Sequence, residues 1–343
     1  MLSNRKKRCS LRSIAQDVGL STTTVYQILN NKNNNMISED TRERVLQAAE
    51  AVAYRPNIGY KLMRGEKSHI VAVLVSSEQL RYREPISNMI ISMVNSLGSQ
   101  GYVTYLCVMQ HSGEKNLQNV RELHARGTEY FIILGNVVGY DLIEEEIEKT
   151  QCNLIGYCDT LKRKITNEFV TAQVEVLRFF LDRGHRQIKC ILPEEAIYSM
   201  YGRLDALKAV FRNTSEEQLV KDYIYSFPNI DYNNSAALFE CEFQRGFDIT
   251  AELMQKYPKT DALFFSNDNV ALGGTKYLMQ NGYIVGKDVL IAGFYNLTAA
   301  QFSCCPITSI AYDIQRVQEK LLKYIFNNEP CNESVPCITY IRE

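Results

Sequence analysis

Between residues 69 and 343, short apolar runs alternate with longer helix-like stretches. This alternation constrains the fold more tightly than any other feature of the chain. The runs are IVAVLV (from Ile70), VTYLCV (from Val103), YFIILG (from Tyr130), NLIGYC (from Asn153), IKCIL (from Ile188), DYIYSF (from Asp222), ALFFS (from Ala262) and VLIAGF (from Val289). They are mostly continuous rather than alternating, so both faces of each strand are buried, as in a parallel sheet covered by helices. Stretches such as Pro85 to Gln100 and Phe243 to Lys256 supply the helices. The pattern predicts an α/β body of two Rossmann-like lobes. In such sheets ligands bind beyond the carboxyl ends of the strands, here between the lobes.

A chain of 343 residues is too long for one core of usual size, and its first part differs from its body in charge. Residues 1 to 70 carry 12 Lys/Arg against 6 Asp/Glu, while the remainder carries 26 against 33. A basic end on an acidic body suggests an N-terminal module that binds a polyanion. In SLRSIAQDVG, Leu11, Ile14, Ala15 and Val18 form one helix stripe, with Ser10 able to cap its start and Gly19 its end. After a short break Ser21 caps a second helix, whose apolar positions are Val25, Ile28 and Leu29. Two short helices joined by a tight Gly-containing break are the helix-turn-helix signal.

The second helix, in GLSTTTVYQILNNK, carries almost no charge. Opposite its apolar stripe lie Thr23 and Gln27, flanked by Thr22, Tyr26 and Asn30. Uncharged hydrogen-bonding side chains suit base edges: Gln pairs with adenine, and Thr offers a hydroxyl and a methyl. Ser21, Thr22, Thr23, Tyr26, Gln27 and Asn30 are therefore the candidate DNA-contacting residues of this helix. A third helix follows in MISEDTRERVLQAAEAVAY, with Ser38 as cap, Glu39 and Asp40 in the first turn, and a stripe of Val45, Ala48, Ala49 and Val52. Pro56 stops it, and a basic linker, able to fold on contact with DNA, leads into the body.

The stretches LRSIAQDVGLSTTTVYQILN and ISEDTRERVLQAAEAVAYRPN, with the hinge after them, resemble the lactose/galactose repressor (LacI/GalR) family of bacterial transcription regulators. The resemblance implies that Thr22, Thr23 and Gln27 read bases in the major groove. It implies a hinge helix over residues 57 to 64 that folds in the minor groove, with Asn57, Tyr60, Lys61 and Met63 as DNA contacts. Met63 stands where the family usually wedges a leucine into a base step, and Tyr60 replaces a small alanine. It also implies a homodimer on a near-palindromic double-stranded operator, and a small sugar-like effector held between the lobes.

The resemblance continues in DRGHRQIKCI, FSNDNVALGG, DVLIAGFYN and CPITSIAYD. It makes Arg203 and Asp268 effector ligands, with Ser76, Asp159 and Tyr295 as further pocket residues. A guanidinium and a carboxylate give directed hydrogen bonds to vicinal hydroxyls, and an aromatic face packs a sugar ring. Glu168 and Phe169 replace a usual Asp-Asn pair, LPEE replaces usual glycines, and the chain has no tryptophan. The expected organisation is a helix-turn-helix domain over residues 1–56, a hinge over 57–68 and a body over 69–343. Lobe crossings are expected near Lys162, Val289 and Phe326, which gives one lobe residues 69–161 and 290–326, and the other 162–289 and 327–343.

No enzyme is expected. His69, His111, His124 and His185 are isolated, and the ten cysteines show no metal-ligand spacing. No cofactor or metal is predicted. The basic start is not followed by an apolar signal segment and no apolar run is long enough to span a membrane, so a cytoplasmic location is expected. A global regulator with a phosphorylated carrier protein as corepressor, as some relatives use, is the second reading; a basic patch on the first lobe would favour it, and that lobe offers only scattered Arg81, Arg83, Arg121 and Arg126. A solute-binding protein of transport is the third, and the helix-turn-helix argues against it.

Overall fold

The computed structural model describes residues 10–30, 37–55, 58–77, 80, 84–197, 202–228, 238–327, 329 and 332–343. The chain divides into two compact units, one ending at Ser68 and the other running from His69 to Glu343.

The first unit contains α1 (Leu11–Val18), α2 (Thr22–Leu29), α3 (Glu39–Ala51) and α4 (Ile58–Met63). Serines begin the first three helices. The Ser10 hydroxyl accepts from Ser13 N at 3.2 Å, Ser21 accepts from Thr24 N at 3.0 Å, and Ser38 accepts from Thr41 N at 3.3 Å. Each satisfies a helix N–H that has no partner within its own helix. Ile14, Ala15, Val25, Ile28, Val45 and Ala49 form the shared core. Val52, placed in the α3 stripe by its spacing, is exposed, because α3 ends at Ala51 and the stripe ends with it.

The second unit contains two sheets. The first lobe begins with β1 (Ile70–Ser76), α5 (Glu84–Ser99), β2 (Val103–Met109), α6 (Gly113–Ala125), β3 (Tyr130–Leu134), α7 (Tyr140–Glu148), β4 (Asn153–Tyr157) and β5 (Lys164–Glu168). The chain then forms α8 (Val170–Asp182), β6 (Ile188–Pro193), α9 (Arg203–Val210), α10 (Glu216–Tyr223) and β7 (Ile224–Phe227). Next come α11 (Leu238–Lys256), β8 (Ala262–Phe265), α12 (Asp268–Gln280), β9 (Leu290–Phe294), α13 (Thr298–Gln301) and β10 (Ile307–Ala311) in the second lobe. It returns through α14 (Ile314–Asn327) and β11 (Glu333–Pro336), and ends with β12 (Ile338–Tyr340). The strand orders are β11-β5-β4-β3-β1-β2 and β12-β10-β9-β8-β6-β7. Paired strands are parallel, except that β12 runs antiparallel to β10.

The continuous apolar runs follow from two-sided burial. Val71, Val73 and Val75 of β1 face one core, and Ala72 and Leu74 face another. Likewise Ala262 and Phe264 of β8 face one core of the second lobe, while Leu263 and Phe265 face the other.

The expected lobe boundaries need correction. The chain passes between the sheets after Glu168, after Ala311 and after Pro336, rather than near Lys162, Val289 and Phe326. Val289 leads directly into β9, which lies inside the second sheet between β8 and β10. Residues 290–311 therefore belong to the second lobe, and 164–168 and 333–336 to the first. The cause is the short, mostly polar sequence of β5 and β11, in which only Ile165 and Val335 are fully buried. Strands of four or five residues at a sheet's margin carry too few apolar positions to show a period.

Candidate DNA-reading helix and effector site

Helix α2 buries Val25 and Ile28 in the first unit's core, which turns Ser21, Thr22 and Thr23 to solvent and leaves Gln27 half-buried. The exposed face of this helix is therefore uncharged. Asn30 closes the helix, with its Nδ2 donating to Tyr26 O at 2.9 Å. Tyr26 departs from expectation. It is 1% exposed, its hydroxyl donates to Glu66 Oε2, and the Arg64 guanidinium lies 4.6 Å from its ring centroid. A phenol long enough to reach residues 64–66 packs there instead of turning to solvent. Helical spacing within α2 cannot reveal a contact with a segment forty residues away.

Asn57 lies outside the described residues. Tyr60 and Lys61 fall on α4, and Met63 is its last residue and is 80% exposed. The linker is thus helical over Ile58–Met63. Arg121 and Arg126, considered for binding a carrier protein, are paired within the first lobe. Arg121 makes two 2.9 Å bonds to Glu146, and Arg126 lies 3.6 Å from Glu122. Arg81 and Arg83 lie outside the described residues.

The predicted effector residues separate into two groups. Ser76, half-buried, ends β1, and Asp159 is exposed just after β4. Both stand at carboxyl ends of strands, where a doubly wound sheet binds ligands. Arg203 and Asp268 are instead engaged within the second lobe. Arg203 is 1% exposed, its guanidinium 3.3 Å from the Phe264 ring centroid, and it donates to the carbonyls of Phe264 at 3.1 Å and Phe265 at 3.4 Å.

Asp268 is fully buried. Its Oδ1 accepts from the Ser309 hydroxyl and its Oδ2 from Leu297 N, both at 2.7 Å. Its neighbour sets its direction. Asn267 caps α12 by accepting from Val270 N at 3.0 Å, and its Nδ2 donates to Glu242 at 2.8 Å. That leaves Asp268 turned toward β9, where Gly293 provides the room: a Cβ on Gly293 would lie 2.1 Å from Asp268 Oδ1. Burial pushes the Asp268 carboxyl up to about 7, against the opposing pull of Ser309, two backbone N–H groups and the Arg342 charge. In this structure both oxygens of Asp268, expected as an effector ligand, accept hydrogen bonds from the protein itself.

Tyr295, at φ 92°, belongs to an aromatic cluster at the lobe junction. Its ring centroid lies 5.2 Å from that of Phe294 and 5.8 Å from that of Tyr312. Tyr312 also packs on Phe169 at 6.2 Å and on Tyr157 of the first lobe at 6.1 Å. The lobes are further joined where Thr298 Oγ1, at the start of α13, donates to Glu84 Oε1, at the start of α5, at 2.6 Å. Neither residue carries a motif that marks it in advance. Among the described residues no group of three His, Cys, Asp or Glu side chains is placed to hold a metal, and no helix is long and apolar enough to cross a membrane.

Comparison with known proteins matches this geometry. Residues 10–57 match the model of bacterial regulatory proteins of the lacI family, and residues 177–326 match the periplasmic binding protein-like domain. Residues 10–57 thus carry the DNA-binding domain of the lacI family. Similar curated proteins are HTH-type transcriptional repressors PurR. That of Vibrio campbellii (strain ATCC BAA-1116) is 24% identical over 320 residues, covering 90% of this chain and 88% of that one. That of Pasteurella multocida (strain Pm70) is 22% identical over 331 residues, covering 94% and 93%. Among solved structures, the lac repressor dimer bound to operator and the anti-inducer ONPF has a TM-score of 0.75 at 21% identity, with 98% of both chains covered. A complex of the transcriptional regulator CelR with cellobiose has a TM-score of 0.60 at 18% identity, covering 98% of this chain and 99% of that one. These comparisons support a DNA-binding transcriptional regulator of the LacI type.

Proposed function

We propose that this repressor acts in the cytoplasm as a homodimer that reads a near-palindromic operator through α2, under the control of a sugar or sugar derivative bound between its lobes. The observation that carries the DNA reading is the uncharged exposed face of α2, with Ser21, Thr22 and Thr23 in solvent above a core of Val25 and Ile28. Residues 1–56 serve as the DNA-binding domain, 57–68 as the hinge and 69–343 as the body. The exposed Met63 is suited to wedge into the central base step. Thr23→Ala and Gln27→Ala remove base contacts and leave phosphate contacts intact. Each is expected to weaken an operator, selected from a random pool, by about tenfold or more while changing random-DNA affinity little. Gel-shift titration on both DNAs is the test, and an equal loss on each sinks this orientation of α2.

The dimer reading rests on an apolar face of the first lobe. Ile91 and Val94 of α5 and Leu106 and Val108 of the sheet-edge strand β2, on the α5 side of the sheet, are all exposed. A second copy covering that face also satisfies two-fold symmetric reading of DNA, since one short helix reads only a few base pairs. Ile91→Glu with Leu106→Glu is expected to yield a folded monomer in sedimentation and to abolish tight operator binding. A double variant that remains dimeric rules this face out.

For the effector, the aromatic junction supports a ligand with an apolar ring face and hydroxyl edges. Tyr295, Ser76 and Asp159 are its proposed contacts, and Arg203 and Asp268 act beneath them. A thermal-shift screen of sugars, with nucleobases and nucleosides in parallel, is the test. A ligand at 100 times its dissociation constant stabilises by about 2.7 kcal/mol. A shift with nucleobases and none with sugars overturns the sugar assignment.

A further inference from the structure

Tyr26 of α2 is the meeting point of two side chains from the far end of the linker. Its hydroxyl donates to Glu66 Oε2, forty residues downstream, and the Arg64 guanidinium lies 4.6 Å from its ring centroid. Between Arg64 and Glu66 stands Gly65, just past the end of α4. Its φ is 70° and its N–H donates to Leu62 O at 2.9 Å. A left-handed residue at this position closes a helix and reverses the chain, and glycine takes that conformation without strain. Arg64 before the turn and Glu66 after it therefore reach the same phenol. Tyr26 points inward on α2, while Thr22 and Thr23 of the same helix are in solvent. One helix thus carries both the surface proposed to read bases and the anchor of the linker.

The anchor bears on α4. A helix of six residues does not persist by itself, because nucleation fixes several residues before propagation repays the cost. The Tyr26 contacts supply what α4 lacks. A hydrogen bond to a carboxylate is stronger than one between neutral groups, and a guanidinium on an aromatic face adds a second attraction. We propose that Arg64 and Glu66 are positioning residues of the DNA reader, which through Tyr26 hold α4 folded against α2 before DNA is met. The inference rests on the reading of α2 as the base-contacting helix. The latch fixes the distance from α2 to Met63, the exposed last residue of α4. The separation between a half-site and the central base step is thereby set in the protein rather than chosen on the DNA. A linker already held in shape also avoids part of the ordering cost that a disordered segment meets on binding.

Hydrogen exchange of the full-length protein without DNA tests the latch. The amides at the end of α4, from Leu62 to Gly65, are expected to be protected in wild type. Tyr26→Phe keeps the ring and loses the hydroxyl, and Glu66→Ala loses the acceptor. Each is expected to speed exchange of that segment by about tenfold. Amides of α1 and α3 should exchange as in wild type, which separates a lost latch from a weakened domain. No DNA is used, so this arm does not depend on which helix reads bases, and the Thr23→Ala and Gln27→Ala titrations test that reading separately. Selection of operators from a random pool is the second arm. Wild type is expected to return half-sites at one spacing, and Tyr26→Phe at two or more. The proposal is overturned if the segment is unprotected in wild type, if either variant leaves its protection unchanged, if α1 and α3 lose protection equally, or if Tyr26→Phe returns the wild-type spacing alone.

Discussion

Gly273→Ala is expected to destabilise the body of this protein by about 3 kcal/mol or more. Helices α11 and α12 cross with their backbones in contact, and the contact exists only because both crossing residues lack a side chain. A Cβ on Gly273 would lie 1.9 Å from Phe243 O and 2.8 Å from Phe247 N, and one on Gly246 would lie 2.0 Å from Val270 O. Overpacking a core usually costs about 1–3 kcal/mol because neighbouring side chains can shift rotamer. Here the obstructing atoms are helix backbone, so the helices themselves must separate. Separation would also disturb Leu253, Val270 and Ala271, which belong to one core, and the start of α12 that carries Asp268. Gly98→Ala is the matched control. Gly98 lies in α5 with nothing within 4 Å of a built Cβ, so alanine there should be neutral or stabilise by up to about 1 kcal/mol through helix propensity. Urea unfolding of the three proteins, followed through the body's transition, decides the point. A Gly273→Ala midpoint equal to wild type would mean that the helices are not in backbone contact.

Asp268 is expected to give the body a stability that falls as pH rises from about 4 to about 7, and Asp268→Asn is expected to remove that slope. The folded-state carboxyl is raised to about 7 from an ordinary value of 3.8. Between those values the folded protein holds a proton that the unfolded chain has released. Stability from this group is therefore complete below the unfolded value, is lost as pH climbs, and is gone above about 7. A shift of this size corresponds to roughly 4 kcal/mol between the two limits. Asparagine keeps the shape but not the titration. Unfolding free energies at pH 5 and pH 8 for both proteins are the measurement. If the wild-type difference persists unchanged in Asp268→Asn, the titrating group is elsewhere.

Local pattern decided a great deal. The apolar spacing of Leu11 to Val18, the break at Gly19 and the hydroxyls at Ser10, Ser21 and Ser38 specify short capped helices. Each of those signals acts over four residues or fewer. The runs at Ile70, Tyr130 and Ala262 announce strands buried on both faces, since Val71 to Val75, Tyr130 to Leu134 and Ala262 to Phe265 alternate between two cores. The side chains of α2 were legible as an uncharged surface by the same periodicity.

Tertiary structure decided what local pattern cannot carry. Tyr26 reads as a surface residue of α2, yet its long phenol reaches Arg64 and Glu66, which no period connects to it. Asp268 reads as a free carboxylate, but Asn267 takes the helix cap and Gly293 opens the space that draws Asp268 inward. The allocation of β9 and β10 to the second lobe depends on partners in sequence-distant strands. The short strands β5 and β11 pair with each other between distant parts of the chain, Ile165 opposite Glu333. Helix periodicity and capping are enthalpic and steric preferences of neighbouring residues, so sequence alone expresses them. Burial, pairing and the direction of a side chain depend on which distant surfaces arrive, and only the folded chain settles that.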